Sequence, residues 1–349
     1  MDFKDKNYII QKDKRMKKTV FILVLILFTL LLIFMPRSRN KNQKEDVHFW
    51  EVQSIDTMKY SRDVAREKLR DPSFDSVIEQ QIKNIAESYA THVAIGTPYD
   101  DEFLPFLKRW VGMARKYKLK VWFRGNWSGW EKWFGYPSID RKAHIEKTVK
   151  FTLSNKDIFE DSDVFGACNE CENGGPGDPR HNGDAKGHKA FLIEEYKATK
   201  TAFEKIDKKI ASNYSSMNGD VANLIMDKET TKALGGIVVV DHYVASPEQL
   251  IIDIKALAKK SGGKIVLGEF GAPIPDIHGK MSEGEQSEWL ENVLQKLFNM
   301  EEVIGMNYWT NVGSSTELWD AKGSARPAVE IIKKYYKRNL DRHQYTSEE

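Results

Sequence analysis

From His48 onward, short apolar runs alternate with helical patterns. The runs are 49–55 (FWEVQSI), 92–96 (HVAIG), 120–125 (KVWFRG), 164–168 (VFGAC), 209–214 (KIASNY), 237–243 (IVVVDHY), 264–270 (KIVLGEF) and 303–309 (VIGMNYW). Each is short and rich in β-branched or aromatic residues, the pattern of a strand buried on both faces. Amphipathic helical patterns cover 73–89, 101–118, 139–153, 188–206, 220–233, 246–261, 282–299 and 324–338. Ser73, Ser246 and Ser282 stand where N-caps are expected, and Ser282 with Glu285 fits a capping box. Eight strand–helix units in this length predict an α/β fold, a (β/α)8 TIM barrel over 48–340 with a loose tail at 341–349. A doubly wound sheet would carry a Gly-rich turn after its first strand, and DTMKYSRD holds no Gly.

One stretch breaks the alternation. Residues 19–35 (TVFILVLILFTLLLIFM) carry no charge, and at ~1.5 Å per residue they reach about 25 Å, near the lower limit for a bilayer. Seven Lys or Arg precede the stretch and four follow it. This predicts a single transmembrane anchor, with 1–18 a cytoplasmic basic segment, 36–47 a linker, and the barrel extracellular or periplasmic. A cleaved signal peptide is the rival reading, but PRSRN after Met35 offers no small-x-small cleavage site.

Composition refines this picture. The 349 residues are 41% hydrophobic and 30% charged, which excludes a disordered or low-complexity chain. The net charge of +2 is uneven: residues 1–46 carry +6, so the remaining 303 carry −4. A mildly acidic barrel argues against nucleic acid as its partner.

A barrel fold directs attention to the C-terminal ends of its strands, where active sites are built. The fourth run ends Cys168-Asn169-Glu170-Cys171, the seventh Gly268-Glu269-Phe270-Gly271, the sixth Asp241-His242-Tyr243, the eighth Asn307-Tyr308-Trp309 and the third Arg124-Gly125-Asn126-Trp127. Acids at the ends of strands 4 and 7 converge across a barrel, and two facing carboxyls are the minimum apparatus for glycosidic bond hydrolysis. Trp127, Trp130 and Trp133 follow the third run, and flat indoles there suit stacking on sugar rings. The loop 172–188, with five Gly and two Pro, reads as a long substrate-facing loop; it lacks P-loop spacing. Cys168 and Cys171 are either free or joined across the Glu170 turn, and two thiols alone do not make a four-ligand zinc site.

In this order and on these strands, Asn169-Glu170, His242-Tyr243, Glu269 within LGEFG, and Trp309 resemble the signature of clan A glycoside hydrolases. These are the retaining (β/α)8 enzymes that include family 5 cellulases and mannanases. The resemblance implies Glu170 as acid/base and Glu269 as nucleophile. It implies Asn169 on the sugar 2-hydroxyl, Tyr243 holding Glu269, His242 on a sugar hydroxyl or the acid/base, and Trp309 as the floor under the cleaved sugar. Many clan members carry an Arg at the end of strand 2; here that run ends GTPYD, and Arg124 on the third run is the candidate substitute. The implied activity is hydrolysis of a β-linked oligo- or polysaccharide without metal or organic cofactor. A transglycosylase using the same covalent intermediate and a glycan-binding barrel without catalysis are the alternatives. The pH optimum is expected to be mildly acidic, with Glu170 protonated while Glu269 is ionised.

Overall fold

The structure is a computed structural model that describes residues 49–347. The proposed anchor at 19–35 and both its flanks lie outside the described residues. Among the described residues, no helix is long and apolar enough to cross a membrane.

Eight parallel strands make one sheet: β1 (Val52–Asp56), β2 (His92–Ile95), β3 (Lys120–Phe123), β4 (Val164–Phe165), β5 (Met217–Asn218), β6 (Ile237–Asp241), β7 (Lys264–Phe270) and β8 (Val303–Tyr308). The order is β4-β3-β2-β1-β8-β7-β6-β5. A bridge between Val164 and Ala211, with hydrogen bonds from Phe165 N to Ala211 O (2.9 Å) and Tyr214 N to Phe165 O (3.2 Å), joins the two ends. The sheet therefore curls on itself as a (β/α)8 barrel does.

The main helices are α1 (Asp75–Glu87), α2 (Leu104–Lys116), α3 (Arg141–Ser154), α4 (Ala185–Lys205), α5 (Gly219–Ile225), α6 (Lys228–Ala233), α7 (Pro247–Ser261), α8 (Glu283–Leu297) and α9 (Ala328–Ser347). Ser246 caps α7 and the Ser282–Glu285 box closes α8. Inside the sheet, Val52, Ala94, Trp122, Val164, Tyr214, Val239 and Val266 form one buried cluster, the apolar floor of the barrel. Their strand neighbours Val93, Val121, Phe123, Ile265 and Leu267 belong to the larger cluster packed under the helices. This two-sided burial is why the runs lack polar alternation.

Three elements depart from the sequence reading. The fifth strand is displaced from 209–214 to Met217–Asn218. The 209–214 run meets β4 through the isolated bridge at Val164 and Ala211; after it, Ser215 Oγ accepts from Cys168 N (3.2 Å) and Ser216 N donates to Asn169 Oδ1 (3.2 Å). The helix expected over 220–233 is two helices, because Asp227 starts a new one by accepting from Thr230 N (2.8 Å). The tail expected to be loose from 341 is helical to Ser347, as part of α9. It is tied back, with the Arg342 guanidinium 3.6 Å over the Phe298 ring and donating to Phe298 O (3.0 Å).

Candidate active site

Above the apolar floor, the strand ends supply a buried polar layer with Arg124 at its centre. Its Nη2 donates to Glu269 Oε1 (2.8 Å), Ser216 Oγ (3.2 Å) and Asp241 Oδ2 (3.3 Å). Nη1 donates to Gly268 O, and Nε lies 3.5 Å from Asp56 Oδ2. Asn307 Nδ2 donates to Asp56 Oδ2 and to Gly268 O, each at 2.9 Å. One guanidinium thus ties together the ends of β1, β3, β6 and β7 and the segment before β5. Burial alone would lower its pKa; Asp241, Glu269 and Asp56 reverse that and keep it protonated. Three carboxyls around one cation cannot all ionise cheaply. Burial pushes Asp241 well above the usual carboxylate range, against the Arg124 charge.

Glu269 reaches this layer through an irregularity. Val240 pairs with Leu267, but Asp241 pairs with Glu269, so β7 carries one extra residue, Gly268. Strict alternation would aim Glu269 at the helices, since Val266 faces inward; the bulge re-aims it to the barrel axis. A Cβ on Gly268 would run into Asp241 Oδ1, so only glycine fits there.

Glu269 is 7% exposed, and each carboxylate oxygen has a donor: Arg124 on Oε1, and the Tyr243 hydroxyl on Oε2 (2.8 Å). Burial pushes its carboxyl up to about 7, against the Arg124 charge and the Tyr243 hydrogen bond and aided by Glu170. Burial also keeps the Tyr243 phenol well above its ordinary pKa, so it remains a donor.

Glu170 sits on the turn after β4 with φ +45°, in the left-handed region that non-glycine residues rarely adopt. Its N donates to Ser216 O (2.7 Å), and its Oε2 accepts from Asn173 Nδ2 (3.0 Å). A disulfide joins Cys168 to Cys171 across this residue, with Cα atoms 5.2 Å apart. Burial first and the Glu172 charge second raise the Glu170 pKa; Arg124 and Arg62 oppose them.

The other expected site residues fall into two groups. Trp309 is half-buried at the rim, 6.3 Å from the Tyr243 ring at 80°, and its buried Nε1 has no protein partner. The remainder are engaged by protein groups. Asn169 is 5% exposed, and its amide is spent on the backbone, donating to Gly125 O (3.3 Å) and accepting from Ser216 N (3.2 Å). It braces the Glu170 turn rather than presenting a donor to a sugar. The His242 ring pairs with Asp253 of α7 (2.9 Å), while its backbone N donates to Glu269 O (2.9 Å).

Trp127 and Trp130 do not form sugar platforms. Both are core residues, at 4% and 1% exposure. Trp127 Nε1 donates to Thr148 Oγ1 (2.9 Å); Trp130 Nε1 donates to Cys171 O (3.0 Å), and its ring stacks on Phe191 at 5.0 Å. Part of the 172–188 loop is glycine for the same reason: Gly175, at φ +54°, lies flat against the Trp130 ring, where a Cβ would collide. Trp133 alone of the three loop indoles stays half-exposed, with the Arg62 guanidinium 4.1 Å over its ring.

Sequence reasoning missed Asp56, Asp241, Ser216 and Asn307 as parts of the site. Asp56 and Asp241 each directly close an apolar run, which is the same signal that picked out Glu269.

No family model and no curated protein match the chain. Its fold is shared with solved structures of glycoside hydrolases. A GH5_18 protein from Streptomyces cattleya in complex with GlcNAc aligns with a TM-score of 0.62 at 11% identity, over 84% of this chain and 81% of that one. A β-glucuronidase from Ruminococcus gnavus aligns at 0.53 with 14% identity, over 75% of this chain and 47% of that one. Bacteroides uniformis β-glucuronidase 3 aligns at 0.51 with 10% identity, over 75% and 35%. The chain thus spans about half the length of the first β-glucuronidase. The likeness lies in the fold, which is that of the TIM-barrel glycoside hydrolases, in keeping with the clan A resemblance.

Proposed function

We propose that this protein is a retaining glycoside hydrolase that cleaves β-linked glycans by double displacement. The observation that carries the reading is Glu269: a carboxylate aimed by a bulge to the barrel axis, with Arg124 on one oxygen and Tyr243 on the other. Such bracing orients a nucleophile and leaves a lone pair free for attack. Glu170, raised by burial and Glu172, is suited to hold a proton.

In the first step a Glu269 oxygen bonds to the anomeric carbon as the glycosidic bond breaks, and Glu170 gives its proton to the departing oxygen. In the second, Glu170 takes a proton from water, the hydroxide attacks the same carbon, and Glu269 leaves. Once Glu269 is esterified its charge is gone, which favours the ionised Glu170 needed as base. The 19–35 segment would hold this activity at a membrane, with the barrel on the extracytoplasmic side. Resistance of membrane retention to alkaline extraction, lost on removal of residues 1–35, would support that topology.

The test is the full chain, in mild detergent, against chromogenic β-glycosides and β-linked polysaccharides, beside Glu269→Gln and Glu170→Gln. Glu269→Gln should abolish cleavage of every substrate. Glu170→Gln should retain activity on aryl glycosides whose leaving group needs no proton, and lose it on natural linkages. Product anomers followed by NMR should show retention. Tight glycan binding without turnover, unaffected by either substitution, would replace the hydrolase with a binding barrel.

A further inference from the structure

Behind the Glu170 turn lies a second buried cluster that the glycosidase reading does not use. His144 of α3, Glu195 of α4, Cys168 and Cys171 offer one donor atom each, all within 4.8 Å of one another, and all four residues are buried. His144 Nδ1 stands 2.5 Å from Glu195 Oε1. Its Nε2 stands 2.9 Å from Asn126 Oδ1.

The tautomer of this histidine is fixed by its neighbour. Trp127 N donates to Asn126 Oδ1 (2.8 Å), so that atom is the amide oxygen and accepts. His144 must therefore donate from Nε2, and a neutral ring then presents a bare lone pair at Nδ1. That lone pair faces a carboxylate oxygen in the dry interior. Two acceptors at this separation need a cation between them. A proton serves at this distance; a metal ion with bonds of about 2.0–2.2 Å to each atom would take its place with the two drawn apart to roughly 3.3 Å. The same Asn126 holds its Nδ2 within reach of Cys168 Sγ (3.7 Å), beside Glu131 Oε1 (3.3 Å) and Asn169 O (3.4 Å). An outer amide that fixes a ligand histidine and also reaches a ligand sulfur is the arrangement that metal sites use.

We propose that the reduced Cys168–Cys171 pair, with His144 Nδ1 and Glu195, binds one zinc-class divalent ion. Two thiolates, one imidazole and one carboxylate are a tetrahedral zinc set, and Cys-x-x-Cys supplies two ligands from a single turn. The sequence offers the thiols together but leaves the other two ligands 24 residues before and after the pair, on different helices. Cys168, Cys171 and Glu195 also line a cavity of about 30 Å³, room for roughly one water beside the ion. His188 Nε2, Glu172 Oε2 and Ser212 Oγ line the same cavity, buried and without protein partners.

In the structure the two sulfurs are bonded to each other, so the ion and the disulfide exclude one another. An external dithiol interconverts them. Its two thiols become a disulfide as Cys168–Cys171 becomes two thiols. The entering ion then releases both thiol protons, and the proton between His144 and Glu195, to solvent. The ion would replace the disulfide as the clasp on the turn that carries Glu170.

The test uses Co²⁺ alone as probe on the full chain, kept reduced, stripped with chelator and shown by mass to carry two free thiols. The expected result is one equivalent of cobalt per chain, with thiolate-to-cobalt charge transfer and the strong visible bands of a four-coordinate site. Equimolar zinc should bleach both, and the oxidised chain should show neither. Cys168→Ser should abolish the charge transfer, and the isosteric Glu195→Gln should weaken binding at least tenfold while leaving the fold intact. Two free thiols without cobalt bands, bands that survive Cys168→Ser, or a folded chain whose disulfide resists strong reductant would each overturn the proposal.

Discussion

Glu269 must be ionised to attack, yet burial pushes its carboxyl up to about 7. In the free enzyme, kcat/KM should therefore fall on the acid side as Glu269 takes up its proton and on the basic side as Glu170 loses its own. Tyr243→Phe removes a hydrogen bond that favours the anion. The pKa of Glu269 then rises, the acid limb of the pH–rate profile moves to higher pH, and kcat/KM falls by about 10- to 100-fold, the worth of a hydrogen bond to a charged group. Glu172→Gln acts on the other limb. Glu172 raises Glu170 through its charge, while its Oε1 accepts from Asn218 N (2.7 Å) and Nδ2 (2.9 Å). Glutamine keeps an acceptor and loses the charge, so the basic limb should move to lower pH. Stability has its own pH signature. The folded pKa of Glu269 lies above the ~4.3 of an unfolded chain, so ionising it costs folding free energy, increasingly from about pH 4 to 7 and fully above that. Glu269→Gln removes this cost. It should stabilise the inactive protein by on the order of 2 kcal/mol at pH 8 and by little at pH 4, measured by urea unfolding at the two values. At this scale the sequence shows the acids, Arg124 and Tyr243 because polar residues closing apolar runs stand out. It does not show whether a loop indole is wet. The burial of Trp127 and Trp130 is decided by Thr148, Phe191 and Cys171 O, none of which is near them in sequence.

Among the elements, the eight strand positions were legible wherever the apolar run is the strand. β7 coincides with its run from Lys264 to Phe270, and β2 differs by one residue. β5 was not legible, because a strand of two residues, Met217–Asn218, is too short to leave an apolar run. The bulge at Gly268 was invisible for a related reason: a period-two pattern carries no mark of the extra residue that breaks it. α9 shows how an element gains length from a tertiary contact. Asn339 on this helix accepts from Trp50 N (2.7 Å) and donates to Trp50 O (2.9 Å) and Gln53 Oε1 (2.9 Å), stitching the last helix to the entry of β1. Asn339→Ala leaves the buried Trp50 backbone groups unpaired. It should cost about 2–4 kcal/mol and lower Tm by several degrees, with the pH–activity profile unchanged.

Across the whole molecule, one side chain joins fold to chemistry. Arg124 spans the top of the barrel, and removing it leaves Asp56, Asp241 and Glu269 buried around an absent cation. Arg124→Met should destabilise the protein by about 3–5 kcal/mol, measured by chemical unfolding, as expected for breaking a buried ion network from one side. Converting Asp56 and Asp241 to Asn in the same chain should recover much of that loss, because the stranded charges go with their partner. Such a triple variant would fold around an apolar-and-amide cap and leave Glu269 with Tyr243 as its sole donor. The central cation therefore makes positions 56, 124 and 241 a genetically linked set. A library sorted only for folding would accept them all charged or all neutral and reject the mixtures. A library sorted for glycan cleavage would accept the charged combination alone, and the gap between the two surviving populations would measure how much of this network is kept for catalysis.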